Sequence, residues 1–144
     1  MKKYVVGFMF NEERDTVVLV KKERPDWQKG RWNGVGGHIE DGEIAREAMV
    51  REFYEETGID TSYLDWTSYA NALEEDNFSI VFYYAIGDIE KARTMTDEII
   101  ELKAIESIPY IPTIENLNWL IHLAIDSMDG RPRWTTISYS SYED

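Results

Sequence analysis

Apolar and polar positions divide the chain into short strand-like runs separated by polar turns, with two stretches of helical spacing. Tyr4 to Phe10 and Thr16 to Lys22 are Val-rich and largely apolar, and the polar Asn11-Glu12-Glu13-Arg14-Asp15 between them predicts a hairpin of two adjacent strands. Glu23 to Gly30, polar and containing Pro25, predicts a loop. Arg31 to His38 carries Gly34, Gly36 and Gly37, which let backbone approach a ligand closely, and predicts a short strand leading into a helix. Strands are expected over Tyr63 to Leu73 and Phe78 to Ile86, joined by Glu74-Glu75-Asp76-Asn77, with Phe78, Val81, Phe82, Tyr83, Tyr84 and Ile86 serving the core and sheet. A polar connector, Asp88 to Arg93, follows. Another strand is entered through Thr96-Asp97-Glu98 and ended by the prolines of Ile108 to Pro112. Leu117, Leu120, Ile121, Ala124, Ile125 and Met128 keep helical spacing, so a helix from Thr113 to Met128 packs on the sheet and stops at Asp129-Gly130. Arg133 to Tyr139 completes the pattern as an edge strand, with Ser140 to Asp144 as a frayed tail.

The helix that follows Gly37 departs from ordinary amphipathic patterning. It is expected over roughly residues 43 to 57, capped by Asp41 or Gly42, with Glu43 in the first turn and Gly58 as the left-handed stop. With Ala45 at zero on a helical wheel, Met49 falls at about 40°, Phe53 at about 80°, Ala48 at about 300° and Ile44 at about 260°, which defines the core-facing arc. Glu56 falls at about 20°, Glu52 at about 340° and Glu55 at about 280°, inside or along that arc, whereas Glu43 and Glu47 fall on the opposite side and read as solvated. Burying an unpaired carboxylate costs several kcal/mol, and like charges one turn apart add repulsion. A cation must compensate. Arg51, at about 240°, is better placed for Glu55 than for Glu52 or Glu56. A hard divalent ion with oxygen ligands suits the remaining pair, and Mg²⁺ keeps waters for a phosphate substrate. The alternative, an exposed charged face, fits the wheel less well.

Composition narrows the chemistry. The 144 residues suit one domain with its own core, and the absence of cysteine excludes a disulfide scaffold or a thiolate metal site. The opening Met1-Lys2-Lys3 and apolar run lack a cleavage site and are followed at once by charge, and no run approaches a membrane span, so a soluble, cytoplasmic protein without membrane partners is expected. Twenty-eight acidic against 15 basic residues give a net charge of −13, which argues against binding nucleic acid polymers. A small polyanion remains compatible if metal ions supply positive charge.

Gly37, Glu43, Arg51-Glu52, Phe53, Glu55-Glu56, Gly58 and Ile59 stand at the spacing of the Nudix box, and the stretch closely resembles it. The one departure, Phe53 for an aliphatic residue, concerns packing. Arg31-Trp32-Asn33-Gly34-Val35-Gly36-Gly37 further resembles the MutT-type branch, which includes hydrolases of oxidised purine nucleoside triphosphates such as 8-oxo-dGTP. The resemblance implies an α/β/α sandwich around a mixed sheet, a single Nudix domain over residues 1–144, and hydrolysis of a nucleoside triphosphate to a nucleoside monophosphate and pyrophosphate with Mg²⁺, for which Mn²⁺ can substitute. It implies metal ligands at Gly36 (through its carbonyl), Glu52, Glu55, Glu56 and Glu98. Glu98 is a further ligand or the base that orients water, Glu52 is the competing base, and Arg51 holds a carboxylate in place. Gly37 and His38 lie near the phosphates, and Asn33 and Asn116 are candidates for reading the base.

Each assignment has a plainer counterpart: Asn33 as a turn residue before Gly34, Asn116 as a first-turn polar residue, Glu98 as a solvated loop acid, with Glu101 and Glu106 as weaker rivals for its role. His122 reads as a surface or packing residue of the second helix, and two histidines support neither a zinc site nor a Ser-His-Asp triad. Other nucleoside-diphosphate-linked substrates (ADP-ribose, dinucleoside polyphosphates) and a non-catalytic nucleotide sensor are the alternative functions, in a monomer or homodimer.

Overall fold

Side chains alternate across β1 (Lys2–Phe10): Val5 and Met9 are buried on one face of the sheet, Phe8 and Phe10 on the other. The next strand, β2 (Thr16–Lys21), repeats this, with Val17 and Leu19 joining Phe8 while Val18 and Val20 join Val5. Strands buried on both faces read as continuous apolar runs, and each face needs its own cover. One cover is α1 (Ala45–Thr57), which puts Ala48, Met49 and Phe53 into the Val5 cluster. The other is α2 (Leu117–Ser127), which puts Leu117, Leu120, Ile121 and Ala124 into the Phe8 cluster. The expected α/β/α sandwich is therefore present. It is seen in a computed structural model that describes residues 1–130 and 134–140.

The remaining strands are β3 (Trp32–Asn33), β4 (Val35–His38), β5 (Thr67–Glu74), β6 (Phe78–Ile86), β7 (Ile99–Ala104) and β8 (Thr135–Tyr139). They form one mixed sheet in the order β3-β2-β1-β6-β5-β8, with β4 added to β1 and β7 to β2. The β1–β6 and β5–β8 pairs are parallel and the others antiparallel.

The predicted β1–β2 hairpin is only partly formed. The two strands are partners at Phe10 and Val17, and beyond that point they diverge. Residues 32–38 fill the opening: β3 pairs with β2 (Val20 opposite Asn33), and β4 pairs with β1 (Val6 opposite Gly36). Glycine permits this crossing. A Cβ at Gly34 would stand 2.7 Å from Phe8 Cε1, and one at Gly36 would stand 1.9 Å from the Val5 carbonyl oxygen.

Other boundaries also move. The first helix starts at Ala45, not 43: Gly42 turns the chain at φ +83°, Ile44 is the N-cap, and the Glu47 carboxylate accepts the Ile44 N–H at 3.0 Å. Ile44, expected in the core, is exposed for that reason. Tyr63–Asp65 is a 3-10 turn closed by Ser62, so β5 begins later than the apolar pattern suggested. The last long strand ends at Ala104, and Ile105–Tyr110 forms a 3-10 segment that contains Pro109 and buries Ile108. The second helix begins at Leu117, since Asn116 sits at φ +69° and cannot continue a right-handed turn upstream. The 88–93 connector is not wholly polar in role, because Ile89 is buried in the Val5 cluster. Arg133 and residues 141–144 lie outside the described residues, and the edge strand β8 matches the rest of that expectation. Among the described residues, no helix is long and apolar enough to cross a membrane.

Gly36→Ala is expected to cost about 3 kcal/mol, because the new methyl meets backbone rather than a yielding side chain. Denaturant unfolding of the purified variant measures this, and a loss under about 1 kcal/mol would show that β4 lies farther from β1 than described.

Candidate active site

The orientation of α1 follows from its anchors. Met49 and Phe53 are fully buried, Phe53 meets Trp66 edge to face at 5.0 Å between ring centres, and Gly58 at φ +77° closes the helix by donating to the Tyr54 carbonyl. With that face fixed, helical spacing turns Glu52 and Glu56 toward β4 and the segment before β7. A Cβ at Gly37 would lie 2.4 Å from Glu52 Oε1, so this position is open to the carboxylate because it is glycine. Glu52 keeps only 13% of its side-chain surface exposed, whereas Glu55 keeps 54%. Of the three acids placed along the apolar arc, two are turned in and one faces solvent.

Arg51 organises this end of the helix, through partners the wheel did not indicate. Its Nε and Nη2 donate to Glu43 at 2.7 and 2.9 Å, Nη2 also donates to the His38 carbonyl at 2.9 Å, and Nη1 donates to Glu52 Oε1 at 2.9 Å. Glu55, the partner expected from angular position, accepts only at 3.4 Å, and Glu40 lies farther still at 3.7 Å. Glu43 is accordingly not solvated: its loop placement before the helix brings it across to Arg51, 16% exposed. The bonds from Arg51 hold the Glu43 carboxyl below its usual range.

Across from α1, Glu98 is 4% exposed, which excludes the solvated-acid reading. Its Oε1 accepts from Lys22 Nζ at 3.1 Å, and its Oε2 accepts from the backbone N–H groups of Glu23 at 2.7 Å and Arg24 at 3.4 Å. Thr96 links the two sides, accepting the Glu98 N–H at 3.1 Å and donating to Glu56 Oε2 at 3.3 Å. Burial raises the Glu52 carboxyl against the lowering effect of Arg51. Glu56 is also raised, first by burial and then by the nearby Glu98 charge. Among the described residues no lysine or arginine stands within ion-pair distance of Glu56.

These donors suit a hard divalent ion: two half-buried carboxylates one turn apart, with incomplete cationic compensation. Among the described residues no three acids or histidines already converge as a closed cage. Mg²⁺ is commonly held by one or two carboxylates and completed by water and phosphate oxygens. Glu52 and Glu56 would hold it. Gly36 precedes Gly37, the residue of β4 that lies against Glu52, and Glu55 is less well directed.

Toward the α2 end, a cleft of about 630 Å³ is lined by Trp27, Arg31, Asn116, Asn118 and Trp119, with Trp27 63% and Trp119 49% exposed. Asn33 is buried, and its amide is engaged locally, accepting from the Gly34 N–H at 2.7 Å and donating to Gln28 at 3.4 Å. The turn role thus describes its bonding. Asn116 donates to the Tyr139 hydroxyl at 3.0 Å, while Asn118 Oδ1 is buried and has no hydrogen-bond partner among the described residues. His38 is exposed, its ring 4.4 Å from that of Tyr4, and only its carbonyl enters the Arg51 network. His122 is exposed on α2, and Glu101 pairs with Lys103 at the surface.

Sequence reasoning did not single out Lys22, Thr96, Trp27, Asn118 or Trp119. Thr96 had a signal, standing two residues before Glu98. The others became visible only when distant segments met.

Because the folded chain holds the Glu56 proton at pH values where the unfolded chain has released it, stability of the metal-free protein rises as pH falls from the raised value toward the ordinary 4.5. Glu43 acts oppositely, contributing stability at neutral pH that is lost as pH falls through its lowered value. Glu56→Gln in EDTA should therefore melt above wild type at pH 8, with the gap closing toward pH 4.5, and saturating Mg²⁺ should reverse the order. Thermal melts across that range test it. Gly37→Ala should cost about 2 kcal/mol, because the methyl displaces the Glu52 carboxylate from its bond with Arg51, and weaken divalent-ion binding about tenfold. A Mn²⁺ titration measures the second effect.

The NUDIX domain family profile matches residues 1–117. A Bacillus subtilis protein named uncharacterized Nudix hydrolase YvcI is 44% identical over 45 residues, which is 31% of this chain and 26% of that protein, so the match spans about a quarter of the relative. A MutT structure reported for Aliivibrio salmonicida and Vibrio cholerae superimposes with TM-score 0.72 at 24% identity, covering 87% of this chain and 98% of that one. The Nudix domain of Shewanella oneidensis NrtR, solved with ADP-ribose, gives 0.74 at 16% identity, covering 88% and 87%. These likenesses establish the fold, and the profile match over 117 residues with an intact box establishes the lineage: the chain belongs to the Nudix family.

Proposed function

We propose that this protein hydrolyses a nucleoside triphosphate in the presence of a divalent cation, releasing a nucleoside monophosphate and pyrophosphate. An oxidised purine nucleotide such as 8-oxo-dGTP is the substrate we favour. The observation that carries the reading is the inward pair Glu52 and Glu56, half-buried and incompletely compensated in a chain whose net charge is −13. At that net charge a polyphosphate is repelled at long range, and a divalent cation held at the site offsets the repulsion where it matters. When bound there, Mg²⁺ or Mn²⁺ would neutralise phosphate oxygens and lower the cost of charge on the leaving group.

The chain's own groups do the rest. Water oxygen bonds to phosphorus, the phosphoanhydride P–O bond breaks with its electron pair on the leaving group, and a carboxylate takes the water proton. Glu52 suits that role: burial raises its basicity, and Oε2 is the oxygen Arg51 leaves free. Arg51 fixes its orientation by the bonds to Glu43 and the His38 carbonyl, a supporting role rather than contact with substrate. Gly37 keeps the approach to Glu52 open, and His38 borders it. The cleft between Trp27 and Trp119 supplies flat indole faces for a base, and its volume is in the range of small-molecule sites. Asn116 and Asn118 line it and offer amide groups, while Asn33 shapes the adjoining turn.

Glu52→Gln and Glu56→Gln should each lower kcat by about 10²–10³-fold while the proteins remain folded, since the amide keeps shape and loses charge. The assay is product analysis with Mg²⁺ and Mn²⁺ over normal and oxidised nucleoside triphosphates, ADP-ribose and dinucleoside polyphosphates. Monophosphate and pyrophosphate from a triphosphate support the proposal. Turnover confined to ADP-ribose or a dinucleotide, or wild-type rates in both variants, would overturn it.

A further inference from the structure

The two borders of the sheet are finished differently. On one, β7 carries Glu101 and Lys103, which pair at 2.9 Å, and β3 is covered by Thr113 and by the Pro112 carbonyl, which accepts the Trp32 N–H at 2.9 Å. Charged side chains and a covering segment are the usual guards of an edge strand. On the other border, β8 pairs with β5 on one side, and among the described residues no strand pairs with its outer side. Neither β8 nor its neighbours Trp134 and Ser140 carry a charge or a proline, in a chain whose residues are 30% charged.

The strand is held ready for a partner. Ile137 packs against the Phe8 cluster, Thr136 Oγ1 donates to Asn71 at 2.8 Å, and the Tyr139 hydroxyl accepts from Asn116 at 3.0 Å while its ring stands 6.1 Å from that of Phe78. A fixed row of outward N–H and C=O groups is a template for one more strand, and a template already ordered loses little freedom when it is used.

A second copy of the chain is the occupant that fits. The net charge of −13 on each copy repels the other at long range. At physiological salt, exposed charges more than about 8 Å apart are largely screened, so contact is decided by the local surface, and here that surface is uncharged. Along the sequence the strand is preceded by Arg131 and Arg133 and followed by Glu143 and Asp144. Antiparallel pairing sets the basic end of one copy against the acidic end of the other, whereas parallel pairing sets like against like. An antiparallel pair about a two-fold axis is also self-complementary, and it closes at two copies.

We propose that the outer edge of β8 pairs antiparallel with β8 of a second copy, about a two-fold axis at Ile137, so that the two sheets join into one. Thr136 then faces Ser138 of the partner subunit on the same side of the sheet. Five paired residues make a small contact, and a dissociation constant on the order of 10–100 µM is expected.

Sedimentation equilibrium of the full-length protein from about 1 µM to about 500 µM tests this by mass action. Wild type should pass from monomer to dimer across that range, and amide exchange over residues 135–139 should slow as the dimer fills. Thr136→Lys combined with Ser138→Lys sets lysine against lysine at both facing pairs and should weaken dimerisation about tenfold or more. Thr136→Lys combined with Ser138→Glu sets lysine against glutamate and should return it to within about threefold of wild type. A wild-type protein that stays monomeric with unchanged exchange overturns the proposal, and that measurement needs no variant. So does a dimer that the paired lysines leave intact, which places the contact on another surface, or equal weakening by the lysine–glutamate variant, which excludes the antiparallel register.

Discussion

The Arg51 guanidinium is the contact on which the site depends. Its planar fork takes both oxygens of Glu43, reaches the carbonyl of His38 at the end of β4, and holds one oxygen of Glu52. A lysine could not do this, because a point charge cannot present parallel donors to a carboxylate and still bridge to a strand. The guanidinium thereby ties together the loop before α1, the strand beside it and the first inward acid of the helix. Glu52 is aimed as a consequence, and the loop that precedes the helix has no freedom to carry Glu43 into solvent.

The second constraint is the divergence of β1 from β2. Two strands paired along their whole length would leave no room for the glycine-rich segment between the sheet and α1. Since they part beyond Phe10 and Val17, residues 32–38 can pass from one to the other and lay Gly36 and Gly37 directly under the helix. Side chains are excluded there for two different reasons: backbone of β1 under Gly36, and the carboxylate of Glu52 over Gly37. The same opening starts the 23–31 loop at the end of β2, where Glu98 meets it.

Charge is then distributed by environment rather than by number. Three glutamates near the site have firm cationic or amide partners: Glu43 with Arg51, Glu98 with Lys22 and the loop amides, and Glu52 in part with Arg51. Glu56 has a hydroxyl donor from Thr96 and a like charge nearby. The electrostatic need for a cation is thus concentrated at Glu56 and the free side of Glu52, beside the glycines of β4. Glu55, identical in chemistry and adjacent in sequence, is left largely to water.

The sequence by itself determined the fold class, the two helices, most strands and the inward turn of Glu52 and Glu56. These depend on local period: alternation along a strand, 3.6 residues per helical turn, and a glycine stop at Gly58. Tertiary structure alone decided what depends on partners far along the chain. A wheel places Arg51 near Glu55 because it sees one helix, whereas Glu43 folds back from the preceding loop and competes successfully as a bidentate acceptor. Likewise, nothing local to Thr96-Asp97-Glu98 foretells Lys22 and two backbone amides that lie 76, 75 and 74 residues earlier in the chain. Asn33 shows the converse limit: its residue type suits base recognition, but the backbone N–H of Gly34 and the side chain of Gln28 are closer and use its amide first.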